Sequence, residues 1–158
     1  MRNDQIEALF KERHKKHKYL FEDWLDRKIC DKHEMKFFKK WINQLSEDEF
    51  CDFLKTDWSI LSAREDQSIK ICERAISINP YSLKHIKNQT ESICLFALQL
   101  DTNVLFLIKE QTVDLCLFAL ENNSLYYSYK DVRIVPNPDV ETTLLNLKNK
   151  KDILEALK

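Results

Sequence analysis

Residues 86–98 read IKNQTESICLFAL, and residues 108–120 read IKEQTVDLCLFAL. The phrase returns after 22 positions, and the same step backwards from Cys116 and Cys94 reaches Cys72. Other residues keep this register: Gln67, Gln89 and Gln111; Ser68, Thr90 and Thr112; Ile71, Ile93 and Leu115; Ala75, Ala97 and Ala119; Ile76, Leu98 and Leu120; Asn79, Asp101 and Asn123; Leu83, Leu105 and Tyr127. A worn copy precedes them, with Ser46 at the cap, Phe50 at the cysteine position, Phe53 at the alanine, Leu54 at the leucine and Asp57 at the second cap. Self-similarity at a short fixed period is the mark of a solenoid-type array.

Each copy has a helical grammar. A Ser or Thr able to accept from free N–H groups opens a segment whose apolar residues recur at helical spacing, with acids such as Glu47, Asp48, Glu91 and Asp114 near its positive end. About ten residues later Asp57, Asn79, Asp101 or Asn123 offers a second cap, followed in one copy by Pro80. This predicts an all-α protein: a short α-solenoid of four two-helix units at 42–63, 64–85, 86–107 and 108–129. A helical N-terminal cap is expected at 1–41, and a turn with a helical C-terminal cap at 130–158. Two helices in 22 residues cannot each bury an apolar face alone, so stacking must do it. The periodic cysteines read as small buried hydrophobes; thiols one helix layer apart, about 8–10 Å, cannot share a zinc.

The phrase IKNQTESICLFAL, its copy and the looser DQSIKICERAISINPYSLKHIKNQT resemble the tandem repeats of a family of unknown function abundant in giant DNA viruses of amoebae, the mimivirus-like group. The similarity covers about 64–129, more loosely 42–63, and neither end. It implies a helical repeat protein, viral and acting inside an infected cell, and carries no activity with it.

Composition narrows the chemistry. The chain has no glycine, which excludes the phosphate-cradling loops of P-loop and dinucleotide-binding proteins. Five cysteines and an N-terminus without an apolar leader suggest reduced thiols and a cytoplasmic, alternatively nuclear, setting; no apolar run is long enough to cross a bilayer. No cofactor is implied. His85 is the one array histidine, and its register equivalents are Leu107 and Tyr129, which argues packing rather than catalysis.

The ends differ in charge: 1–41 carries 12 basic and 8 acidic residues, the array 7 and 13. Apolar positions Ile6, Phe10, Phe21, Trp24, Phe37, Phe38, Trp41 and Leu45 predict long amphipathic capping helices. His14, His17, Cys30 and His33 have spacing reminiscent of zinc ligands, but they would need a chain reversal within 18–29, where no Gly, Pro or Asn marks one. Lys15, Lys16 and Lys18 invite a nucleic-acid alternative, disfavoured because acids follow at once. The expected role is a non-catalytic protein-interaction module, with a protein partner or a second copy bound by side chains that break the repeat: Lys55, Trp58, Tyr81, Lys84, Asn103, Tyr126 and Tyr129. At the C-terminal end, helices are expected near 138–148 and 151–157.

Overall fold

The computed structural model describes residues 2–17, 19–24 and 26–122. Tyr126, Tyr129, Lys18 and the whole expected C-terminal cap lie outside the described residues. Those described form an all-α structure with no strand among them. The chain divides into two compact units, Met1–Lys87 and Asn88–Lys158.

In the first unit, α1 (Asn3–His17) leads to a 3-10 turn η1 (Phe21–Asp23), and α2 (Lys32–Ile42) packs back on α1. The anticipated long helices are thus shorter and interrupted. The reversal closes through Lys28 at φ 53°, in the left-handed region, with Ile29 N–H donating back to Trp24 O at 2.9 Å. That is the geometry of a helix stop normally given to glycine, here taken by a lysine at some steric cost. Asp31 then starts α2 with a capping box, accepting from His33 and Glu34 N–H while Glu34 reaches back. Phe10, Phe21, Trp24, Phe38 and Trp41 are buried together, with Phe10 ring centroids 5.1–6.2 Å from the other four.

The array follows its grammar. Ser46 caps α3 (Glu47–Phe53) and Ser68 caps α4 (Ile69–Ile78); in the second unit Thr90 caps α5 (Glu91–Leu100), and Thr112 accepts from Leu115 N–H at the start of α6 (Val113–Asn122). In the first three copies the second element is a 3-10 helix, η2 (Trp58–Ala63), η3 (Pro80–His85) and η4 (Thr102–Leu107), and that of the fourth lies outside the described residues. Asp57, Asn79 and Asp101 cap these by accepting from the N–H two residues on. Each closes on an i to i−3 bond, Arg64 to Leu61, Ile86 to Leu83 and Ile108 to Leu105. A three-residue turn stacks Leu83 on Ile86, and Leu105 on Ile108, all buried, which suits a six-residue segment better than an α-helix with hardly one full turn of bonds.

The register residues Ile71, Cys72, Ala75, Ile76 and Leu83 are buried in the first unit, as are Ile93, Cys94, Ala97, Leu98 and Leu105 in the second. The glutamines do more than precede a cap. Gln67 donates to Leu61 O and His85 O and accepts from Lys87 N–H at 2.9 Å; Gln89 donates to Leu107 O and accepts from Lys109 N–H at 2.9 Å. In the worn copy Leu45 holds the glutamine position, yet Asn43 donates to Ala63 O and accepts from Glu65 N–H. One side-chain amide therefore clamps backbone groups about 20 residues ahead in each of these copies. Arg64, buried in place of Ile86 and Ile108, donates to Ile42 O at the end of α2 and to Leu45 O just beyond it, and lies over the Phe50 ring.

Candidate functional site

Two residues that break the repeat, Trp58 and Lys84, meet where η1 packs on η2 and η2 on η3. Asp57 starts as an ordinary cap, its Oδ1 accepting from Ser59 N–H and Ser59 Oγ–H at 2.8 and 2.6 Å. Its Oδ2 takes a second task, accepting from Phe21 N–H at 2.6 Å and meeting His14 Nε2 at 2.7 Å. The His14 ring sits 5.0 Å from both Phe10 and Trp24. A fully buried carboxylate thus fixes the N-terminal segment to the first copy, its charge met by four polar contacts.

Beside it Glu22, whose N–H donates to Ser59 Oγ, extends its carboxylate to Lys84 Nζ at 2.7 Å and His85 Nε2 at 3.1 Å. The Lys84 ammonium lies 5.2 Å from the Trp58 ring centroid, and the His85 ring 5.6 Å from it. Burial holds the His85 pKa below its usual value, against the pull of Glu22, with Lys84 adding to the depression. Trp58 is half-buried, Lys84 is exposed, and Tyr81, following Pro80, is 37% exposed.

Two expected candidates, Trp58 and Lys84, are therefore brought together. Lys55 lies elsewhere, paired with Asp52 at 2.6 Å, and Asn103 holds Asp101 through its N–H and its side-chain amide. Glu22 and Asp57's second role were invisible in the repeat; the one hint was an aspartate whose next counterpart is asparagine.

Ser59, Asp57 and His14 form a contiguous set, but the hydroxyl is bonded to the carboxylate and not to the imidazole. The imidazole is not on the serine oxygen, so the trio lacks the serine-to-imidazole hydrogen bond of a Ser-His-Asp relay and instead ties Phe21 and Ser59 N–H to one carboxylate. The expected zinc candidates do not converge: His14 is engaged with Asp57, Cys30 is buried with its pKa pushed up to about 11 mainly by burial, and exposed His33 packs edge-on against Phe37. Among the described residues no group of three or more His, Cys, Asp or Glu could hold a metal ion. Lys15 and Lys16 stand exposed in the last turn of α1. Among the described residues no helix is long and apolar enough to cross a membrane.

Compared with known proteins, the chain matches no family model, no curated protein and no solved structure.

Proposed function

We propose that this chain is a non-catalytic protein-interaction module built on a short helical solenoid. The supporting observation is how the residues divide: those that recur at 22-residue spacing are spent on the core, the caps and the amide clamps, while Trp58, Tyr81 and Lys84, which do not recur, reach the surface around η2 and η3. Repeat scaffolds bind through such varied positions, and a tryptophan beside a cation, with an exposed tyrosine on the neighbouring element, is the composition of an interface anchor. The partner is a protein or a second copy of the chain, met in the cytoplasm of an infected cell. The viral setting rests on the resemblance of IKNQTESICLFAL alone.

The test has two steps. Tagged chain isolated from its native cell should carry a protein in fixed stoichiometry, or run as a homo-oligomer by light scattering. The complex, rebuilt from purified components, should weaken at least tenfold when Trp58→Ala and Tyr81→Ala are combined. A monomer with no stoichiometric companion, or a variant binding as tightly as the parent, refutes the proposal.

A further inference from the structure

The outer face of α2 holds a second surface that the repeat does not explain. Its buried side carries Met35, Phe38, Trp41 and Ile42; its exposed side carries Lys32, Lys36, Lys39 and Lys40, with His33 beside them. On a helix Lys32, Lys36 and Lys40 form one row rising about 6 Å per step, with Lys39 alongside. The one acid of α2, Glu34, lies away from this row and is bound to Arg13 at 2.9 Å. None of the four lysines has an acidic partner among the described residues, although four like charges on one face repel one another. The exposed acids of α3 could have supplied complementary charge from another copy, but they are satisfied internally: Glu47 and Asp48 by Lys70, Glu49 by Ser46, Asp52 by Lys55. A flat anionic bilayer would meet the charges equally well, but leaves the exposed His33 ring, held edge-on at 4.7 Å from Phe37, without a role.

We infer that this face of α2 binds single-stranded nucleic acid, its phosphates neutralised by Lys32, Lys36, Lys39 and Lys40 and a base stacked on His33. A row repeating every helical turn follows a regular chain of charges, and a ring flanking the row gives an unpaired base a surface without reading its sequence. This surface shares no residue with Trp58 and Tyr81 and stands whether or not they bind a protein. It also differs from the basic last turn of α1.

Fluorescence anisotropy of the full chain with labelled dT20 and U20 tests it, the two oligonucleotides separating a general phosphodiester site from a preference for DNA or RNA; either preference supports the site. Neutralising about four phosphates predicts a slope of roughly −3 for log affinity against log salt, about a 50-fold loss between 50 and 200 mM. The combined variant Lys32→Gln, Lys36→Gln, Lys39→Gln and Lys40→Gln should bind at least 30-fold more weakly at 50 mM salt, with unchanged helical circular dichroism. His33→Ala should weaken binding about fivefold or more without altering the slope, because stacking is not a charge effect. Lys15→Gln with Lys16→Gln should change binding less than threefold. Absence of binding at 50 mM salt, a salt-independent affinity, or an unaffected quadruple variant overturns the proposal. Binding to phosphatidylserine vesicles with none to the oligonucleotides overturns it in favour of a membrane surface.

Discussion

At the scale of the residue, Gln67 shows what a repeated polar side chain does in a structure without glycine. Its amide donates to His85 O and to Leu61 O, the latter also taken by Arg64 N–H at the close of η2, and accepts from Lys87 N–H. Truncating it removes these three hydrogen bonds, two of them part-buried, at about 1–3 kcal/mol. We expect Gln67→Ala to lower the urea midpoint accordingly, and Gln67→Glu to do no better, since a carboxylate cannot donate to Leu61 O or His85 O; a midpoint unchanged in both would show that the clamp is ornamental. His85 makes a second residue-scale claim. Burial depresses its pKa relative to the usual 6.5, so the unfolded chain takes up the proton more readily than the folded one. Its contribution is complete above about pH 6.5 and lost as pH falls below it towards the depressed folded value. The carboxylates held down by hydrogen bonds, Glu47, Glu49, Asp31 and Asp52, act lower, below their ordinary 4.5 and 3.8. Urea midpoints measured from pH 7.5 to 5 should therefore decline, and His85→Leu, the residue that the next copy carries at Leu107, should flatten that decline.

At the scale of the element, the 3-10 helices share one capping device with unequal duties. Asn79 and Asp101 each accept from the N–H two residues on, so Asn79→Asp should change stability by less than about 0.5 kcal/mol. Asp57 also receives Phe21 N–H and His14, and an amide in its place turns a donor towards one of those donors. Asp57→Asn should cost about 2–3 kcal/mol, because hydrogen bonds to a buried charge are strong and a stranded donor is costly. Equal costs for the two substitutions, compared by chemical denaturation, would remove Asp57 from its role as fastener. The same elements show what the sequence made legible. The period, the Ser and Thr caps, the second caps and the buried stripe followed from residue spacing, because each depends on neighbours within about ten positions. The 3-10 character of the second element did not, since capping and a six-residue length admit both helix types. Nor did the reversal before α2: the usual glycine signal is missing where Lys28 bears the left-handed backbone. Gln67 and Gln89 announced themselves by recurrence, but their targets lie up to 20 residues ahead, beyond the reach of local patterning. Glu22 gave no signal at all, its partners Lys84 and His85 being more than 60 residues away.

At the scale of the whole molecule, the five cysteines decide whether the array is held by packing or carries reactive sulfur. All five are buried and unpaired. Burial raises the pKa of Cys30, Cys72, Cys94 and Cys116 to about 11 and that of Cys51 above its ordinary value. At pH 8 a thiol with a pKa near 11 is thiolate about one part in a thousand, and the thiolate is the nucleophile. Two barriers thus multiply, scarce thiolate and closed access, so a disulfide reagent such as 5,5′-dithiobis(2-nitrobenzoate) must await opening. In native protein fewer than one thiol per chain should react within minutes, and all five should react in guanidinium. Any early fraction should come from Cys51, at 9% the most exposed of the set, and should disappear in Cys51→Ala. Cys30, Cys51 and Cys72 then report the opening of Met1–Lys87, and Cys94 and Cys116 that of Asn88–Lys158. If Cys72, Cys94 or Cys116 instead reacts at once in the folded protein, the thiols are exposed chemistry and the packing account of the 22-residue repeat fails at its most regular position.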